Sequence, residues 1–474
     1  MKIYNKVSKK AKILVTLGPS VKKKNILRKL ILSGVDGFRI NFSHSILDIK
    51  NTISQIRFIE NNLKKNISVV ADLQGVKFRI GKINNNKVLI KKNSQLIFDL
   101  KKKSGNENRV CLPYPDVFKK IKLRNKILID DGKFAFKIKK ISKKTITAIA
   151  QNDCVINSFK SIHISDLETS NDLLTAKDKS DLAIAKKLGC NWVALSYVKN
   201  EKIIKQARAL INKDMGIISK IENKLALKNL KKIIKDSDAI MIARGDLAVE
   251  IGQDEVPNIQ LDIIKKCSLL GKPTIVATQM LESMIENNKP TRAEVNDIAT
   301  AIFQGADAVM LSAETAIGKF PIQSVTTMRK TILSTERYKK EHVTNFKSST
   351  NINNDPVRAI ALAIKDIAYN IKVKAIIAFS VSGNTAKLVS AIRPSSRIIS
   401  ISPNINISRQ LSLLWGVTSI NNSDAKNWKD MMKISKKVIQ EKKLTKLGGY
   451  AIITAGLPFG KSKMTNMIRL YQLK

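Results

Sequence analysis

Lys220 and Glu222 stand two residues apart in the run Ile218-Ser219-Lys220-Ile221-Glu222-Asn223. On a strand that spacing puts both side chains on one face. An ammonium beside a carboxylate is as readily an inert ion pair as a site. The next apolar run, however, ends in Ala243-Arg244-Gly245-Asp246, and the one after it in Ala277-Thr278-Gln279-Met280, adding a second carboxylate and a hydroxyl. Two acidic groups with few competing ligands suit a hard divalent cation that keeps several waters and grips substrate oxygens. Arg39, inside Gly37-Phe38-Arg39-Ile40, is costly to bury unless an anion neutralises it, which makes it a candidate clamp for phosphate or carboxylate. Taken together, these groups are hard to explain as scaffolding.

Such a constellation needs neighbouring strands that end at one rim. The middle of the chain repeats a short apolar run, a polar turn and an amphipathic stretch. The runs are Trp192 to Leu195, Gly216 to Ile218, Ala239 to Ile242, Pro273 to Val276 and Ala308 to Leu311. Three more precede them, at Lys12 to Val15, Gly37 to Ile40 and Ser68 to Ala71. Eight candidate strands at βα spacing predict a TIM (β/α)8 barrel, whose active site belongs at the C-terminal strand ends. The barrel is expected from residues 1–75 and 169–340. Between them, residues 76–168 alternate apolar and polar positions, as in Lys87-Val88-Leu89-Ile90, with turns at Asn84-Asn85-Asn86 and Asp130-Asp131-Gly132. That pattern predicts an inserted all-β domain, a β-barrel lid over the rim. After the polar linker Ser348-Ser349-Thr350-Asn351, residues 341–474 predict a C-terminal doubly wound α/β domain. In it, Ser380, Ser382, Gly383, Asn384 and Thr385 lie between a strand and a helix, where hydroxyls and a glycine make either a phosphate cradle or an ordinary capped helix start.

Composition narrows the function. The 474 residues carry a formal charge of +47, which alone would suggest nucleic acid. The lysines are scattered along exposed-looking faces, Asn and Ile are also abundant, and aromatics are only 5%, so no stacking platform accompanies the charge. A codon-biased genome explains this composition better than a specific nucleic-acid partner. Cys111, Cys154, Cys190 and Cys267 lie far apart without a CxxC pair, as in a reduced cytoplasmic protein, and three histidines make a histidine-rich zinc site improbable. No apolar run approaches the length that crosses a membrane.

The sequence resembles the pyruvate kinase family over nearly its whole length. The resemblance rests on Leu17 to Ser20, Arg39 to His44, Ala71 to Gly75, Asp130 to Gly132 and Ser219 to Asn223. It rests further on Ala243 to Gly252 (ARGDLAVEIG), Ala277 to Met284 (ATQMLESM), Pro290 to Val295 (PTRAEV) and Asp307 to Thr315 (DAVMLSAET). So many ordered motifs are far more specific than one short pattern. The family shares the interrupted barrel, the lid and a regulatory α/β domain. The resemblance implies transfer of the phosphoryl group of phosphoenolpyruvate to ADP, giving pyruvate and ATP.

It also implies roles. Glu222 and Asp246 hold Mg2+ or Mn2+. Lys220 and Arg39 neutralise the phosphoryl group in flight, and Thr278 belongs to the relay that protonates the enolate. The backbone N–H groups of Gly245 and Asp246 take the substrate carboxylate. Pro19, His44, Arg79 and Lys177 line the nucleotide side, with Asp131 approaching from the lid. Asn41, Ser43, Asp72 and Leu73 correspond to a monovalent-cation site. There Lys77 replaces a usual glutamate and Leu73 a threonine, so Lys77 is expected to stand in for K+, which is then not required. The loop from Ser380 to Thr385 would take a phosphorylated effector, with Phe459 to Lys463 as a second contact, and a homotetramer is implied.

Departures from the family pattern are Val76 for proline, Phe78 for isoleucine, and Ser45 and Ala248 for glycines. Val76 and Phe78 fall at the lid hinge. Ala248 is tolerable only away from positive φ. None removes a charged group. Two other readings remain open on the residues: a metal-dependent barrel lyase or aldolase acting on pyruvate enolates, and a degenerate kinase kept as a binding scaffold.

Overall fold

The computed structural model describes residues 9–43, 49–130, 132–165, 167, 173–342, 355–458 and 464–473. The linker from Ser348 to Asn351 lies outside them. Three strands, β1 (Lys12–Thr16), β2 (Gly37–Asn41) and β3 (Ser68–Asp72), open the barrel. The lid strands follow: β4 (Lys87–Ile90), β5 (Gln95–Asp99), β6 (Arg109–Cys111), β7 (Lys126–Ile129), β8 (Phe134–Ile141), β9 (Thr145–Ala150), β10 (Cys154–Asn157) and β11 (Ile162–Ile164). Then β12 (Trp192–Leu195), β13 (Gly216–Ile221), β14 (Ala239–Ala243), β15 (Thr274–Ala277) and β16 (Ala308–Leu311) complete a closed parallel barrel in the order β1-β16-β15-β14-β13-β12-β3-β2. All eight expected strands are present.

Parallel strands sandwiched between an interior and a helical shell bury both faces, which is why β1, β3, β12, β14, β15 and β16 are apolar almost without interruption. Alternate residues feed two cores. On β13, Ile217 packs outward among the helices, whereas Ile218 joins Leu14, Val70, Trp192 and Met241 in the barrel interior. Trp192 needs Gly216 beside it, since a Cβ there would stand 2.4 Å from the indole.

The lid forms a six-stranded sheet, β11-β7-β8-β9-β5-β6, and a two-stranded pair, β10-β4. Pairing is antiparallel except between β5 and β6. Its core around Phe98, Phe136, Ile127 and Ile129 is separate from the barrel's. The chain leaves the barrel through Gly75, whose φ of +65° and 2.9 Å Cβ approach to the Ser196 carbonyl exclude other residues. The Gly75 N–H donates to Asp178 Oδ1 at 3.0 Å, and Asp178 closes a capping box with Thr175.

The C-terminal sheet runs β19-β18-β17-β20-β21, comprising β17 (Ala375–Phe379), β18 (Arg397–Ser402), β19 (Val417–Asn421), β20 (Tyr450–Ala455) and β21 (Met467–Gln472), with β21 antiparallel at one edge. Apolar clusters cover both faces, as a doubly wound fold requires. This unit seats on the barrel floor. Leu413 enters the barrel-interior core, Arg409 pairs with buried Glu60 at 2.9 Å, and Lys12 Nζ donates to the Val417 carbonyl at 2.7 Å.

Candidate active site

The strand ends bring three carboxylates and three cations together. Lys220 near the end of β13 and Glu222 just beyond it do meet, with Nζ 2.9 Å from Oε1. Lys220 also lies 3.4 Å from Asp72 Oδ1 and donates to Ser196 Oγ at 2.8 Å. Arg39 Nε donates to Asp72 Oδ2 at 2.6 Å, and its Nη1 to Thr16 Oγ1 at 3.1 Å. The anion that stabilises Arg39 within the chain is therefore Asp72. Burial opposes the charge on Lys220, yet Asp72 and Glu222 outweigh it and raise its pKa. Asp72 is likewise buried, and Lys220 with Arg39 draws its pKa down. Burial raises Glu222, Asp246 adding to it against Lys220, whereas Lys77 and Lys220 overcome burial at Asp246 and lower it.

Gly245 and Asp246 lie in the first turn of the helix Arg244–Ile251, as expected. Ala248 sits inside that helix and is absent from the positive-φ residues, so its methyl is accommodated. The Gly245 N–H donates to Thr278 Oγ1 at 2.9 Å, and that hydroxyl donates to the Ala277 carbonyl at 2.6 Å. Thr278 and Gln279 hold φ of 69° and 54°, a conformation uncommon for side-chain-bearing residues. Arg244 stabilises it, donating to the Thr278 and Gln279 carbonyls at 2.6 and 3.0 Å while paired with Asp297 at 2.6 Å.

Asn41, Ser43, Asp72 and Leu73 also converge, since Asn41 is paired in register with Asp72 and its Oδ1 accepts the Ser43 N–H at 3.1 Å. The Leu73 carbonyl accepts Ser196 Oγ at 2.7 Å. Lys77, expected beside these groups, is instead found 3.1 Å from Asp246 Oδ1. Asp72 is already neutralised by Arg39 and Lys220, whereas Asp246, 31% exposed, remains within reach of the lid hinge.

On the expected nucleotide side, Pro19 begins a 3-10 turn. Lys177 Nζ donates to the Phe42 carbonyl at 3.0 Å and pairs with Asp181, next to the chain leading to His44. Arg79 turns onto the lid, donating to the Phe159 carbonyl at 3.0 Å. His44 and Asp131 lie outside the described residues, as do Ser45 and Phe459 to Lys463. In the C-terminal loop, Gly383 at φ +86° precedes the helix Asn384–Ala391. Ser380 and Thr385 are buried and internally engaged, Ser380 Oγ accepting the Thr385 N–H at 3.2 Å and Thr385 Oγ1 meeting Thr465 Oγ1 at 3.0 Å. Only Ser382 and Asn384 among the hydroxyl and amide side chains expected there reach toward solvent.

Four contributors were missed in the sequence. Ser196 and Tyr197 directly follow β12, at the rim where strand ends carry function, and position alone could have found them. Arg244 and Glu314 lie inside quoted motifs. The Glu314 carboxylate accepts the Leu281 and Ser312 N–H groups at 3.1 and 2.6 Å, and burial raises its pKa.

A divalent cation fits. Glu222 is a buried carboxylate whose Oε1 meets the Lys220 ammonium at 2.9 Å, and Asp246 is a partly open one. No cluster of three metal-binding side chains occurs among the described residues. A two-carboxylate set with substrate oxygens and water completing the shell is the mode of Mg2+ rather than of zinc.

A closed parallel barrel with its charged side chains gathered at the C-terminal strand ends has the architecture of a TIM-barrel enzyme. The pyruvate kinase barrel-domain model matches residues 8–325, and the pyruvate kinase alpha/beta-domain model residues 358–471. A pyruvate kinase of Agrobacterium vitis is 36% identical over 468 residues, covering 98% of this chain and 97% of that one. One from Geobacillus stearothermophilus is 33% identical over 473 residues, covering 98% of this chain and 80% of its own. The crystal structure of a pyruvate kinase from Cryptosporidium parvum superposes with a TM-score of 0.89 at 29% identity, covering 98% and 96% of the two chains. The chain belongs to the pyruvate kinase family and is a phosphotransferase.

Proposed function

We propose that this chain transfers the phosphoryl group of phosphoenolpyruvate to ADP, and that the rim described above performs the transfer. The observation that carries the assignment of roles is Lys220, held 2.9 Å from Glu222 and 3.4 Å from Asp72 on a rigid strand end. The bond between phosphorus and the enolate oxygen breaks, a bond from a β-phosphate oxygen of ADP forms, and the enolate takes a proton at its methylene carbon. Lys220 and Arg39 neutralise the phosphoryl charge in flight; fixed cations suit this reaction because positioning and electrostatics dominate phosphoryl transfer. The N–H groups at Gly245 and Asp246 bind the substrate carboxylate, displacing the bond from Gly245 to Thr278 and opening Oγ1 of that hydroxyl to the proton relay. The same reading assigns nucleotide binding to Pro19, His44, Lys177 and Asp131, and to Arg79 once it leaves the Phe159 carbonyl. When bound by Glu222 and Asp246, Mg2+ or Mn2+ supplies charge neutralisation to the oxygens of enolpyruvate and phosphate.

Potassium independence belongs to the same proposal. Lys77 adds a permanent cation to a cleft that already holds Lys220 and Arg39, and a further monovalent ion there meets repulsion. A phosphorylated effector at the 380–385 loop is supported by the Gly383-led helix start with Ser382 and Asn384 outward. A homotetramer is supported by exposed apolar surface, including the edge-on aromatic pair Phe303 and Tyr338. Four buried free cysteines agree with a reducing cytoplasm, and no helix among the described residues is long and apolar enough to cross a membrane.

The test is a coupled assay of pyruvate formation with phosphoenolpyruvate, Mg2+ and ADP. Pyruvate and ATP forming in equal amounts only when ADP is present supports the assignment. Pyruvate without ADP, or none at all, would return the lyase or scaffold readings.

A further inference from the structure

Asp246 is held from two directions along the chain. Its Oδ1 accepts from Lys77 Nζ at 3.1 Å and from the Tyr197 hydroxyl at 3.3 Å. Tyr197 also donates its backbone N–H to Glu222 Oε2 at 2.6 Å, so one residue touches both carboxylates of the proposed divalent set. Its φ of 54° is a left-handed conformation that a bulky side chain adopts only when its surroundings impose it. That backbone lets the amide reach one carboxylate while the ring reaches the other.

Lys77 occupies the lid hinge. Gly75, two residues earlier, is tied to Asp178 of the barrel. Phe78, one residue later, packs into the lid core and lies edge-on to Tyr114 with ring centroids 4.8 Å apart. The Lys77–Asp246 pair therefore links the hinge to a carboxylate proposed to hold the divalent cation. A Mg2+ or Mn2+ ion requires an anionic oxygen of Asp246 at close range, and an ammonium 3.1 Å from Oδ1 opposes its approach by Coulomb repulsion.

We infer that Lys77 is the resident counter-ion of Asp246 and competes with the divalent cation, so that metal loading releases the lid hinge, while Tyr197 is a positioning residue that keeps Asp246 registered on Glu222. This rests on the reading of Glu222 and Asp246 as the divalent set. Loading and lid movement are then coupled, because the bond that metal must break is one of those that tie the hinge to the barrel.

The measurement is Mn2+ binding to the full chain without substrate or nucleotide, followed by electron paramagnetic resonance of the free ion. Circular dichroism checks that each variant is folded. Lys77→Met should tighten binding about fivefold, the scale of a lost, partly exposed ion pair, and Lys77→Arg should restore wild-type affinity. Tyr197→Phe, which removes only the hydroxyl, should weaken binding about tenfold, as loss of an outer-shell partner does. Hydrogen exchange across residues 74–79 should rise when Mn2+ is added to wild type and be high in Lys77→Met without metal. Unchanged or weaker binding by Lys77→Met overturns the competition, and Tyr197→Phe within about twofold of wild type overturns the positioning role. Glu222→Gln in the same titration separates the two levels. If it binds Mn2+ as wild type does, the divalent-site reading itself fails; if it binds weakly while Lys77→Met is unchanged, only the competition fails.

Discussion

The ammonium of Lys77 lies 3.1 Å from Oδ1 of Asp246, a lid-hinge cation paired with a carboxylate at the end of a barrel strand. Asp72, the anionic member of the expected monovalent site, is shared by Arg39 and Lys220 at 2.6 and 3.4 Å. The rim thus carries three cationic side chains against Asp72, Glu222 and Asp246. In potassium-free buffer with a large organic counter-ion at constant ionic strength, activity is expected to stay within about twofold of that with potassium. Many-fold stimulation by potassium would contradict the proposal. Lys77→Glu, which reverses the charge, is expected to acquire potassium dependence.

Glu222→Gln and Asp246→Asn should each raise the Mg2+ concentration for half-maximal activity, because each removes a hard anionic ligand from a set with two. Glu222 is the more sensitive of the pair. It is 1% exposed, and its neutral replacement also leaves Lys220 with one fewer carboxylate. Metal titration of activity decides this, and unchanged midpoints in both variants would move the metal elsewhere.

Lys12 makes a pH prediction away from the active site. Burial pushes its pKa from 10.5 down to about 8, Lys9 and Lys65 adding repulsion against the attraction of Asp36. Below pH 8 the lysine is charged in both states and its burial cost is fully present. Between pH 8 and 10.5 the folded chain releases the proton that the unfolded chain keeps, so stability rises with pH. The advantage of Lys12→Met over wild type should therefore shrink by about 3 kcal/mol across that window. Chemical denaturation at several pH values measures it; a constant difference would contradict the depressed pKa.

Removing the anchor of the strained turn should cost activity more than stability. Arg244→Met loses the bonds to the Thr278 and Gln279 carbonyls and leaves Asp297 without its partner at 2.6 Å. With Thr278 released from φ 69°, the hydroxyl no longer faces the substrate site. Misplacement of a catalytic group by about an ångström costs on the order of a hundredfold in rate. Near-normal turnover in a folded Arg244→Met variant would show that the turn holds itself.

The barrel and its charged rim were legible because strand periodicity is local. Two-residue spacing put Lys220 and Glu222 on one face, and strand ends put Arg39, Asp246 and Thr278 on one rim. Tyr197 was not legible, because its reach to both carboxylates depends on a positive φ that no propensity predicts. The partner of Lys77 depends on the path of the hinge between Gly75 and Phe78, a tertiary matter. In the C-terminal unit, β19 and β21 carry little strand signal, since the polar Val417–Asn421 and the exposed edge segment Met467–Gln472 lack an uninterrupted apolar run. The effector-loop residues were read as equivalent ligands, yet burial separates Ser380 and Thr385 from Ser382 and Asn384.

The central claim is that Lys220 stabilises the phosphoryl group in flight, and Lys220→Met tests it most directly. The side chain is 12% exposed and methionine replaces its unbranched stem without the ammonium, so the variant is expected to keep the fold, as circular dichroism can verify. Loss of one transition-state contact of this kind should lower turnover on the order of several hundredfold or more, at saturating phosphoenolpyruvate, ADP and Mg2+. Turnover within about tenfold of wild type in the folded variant would contradict the account.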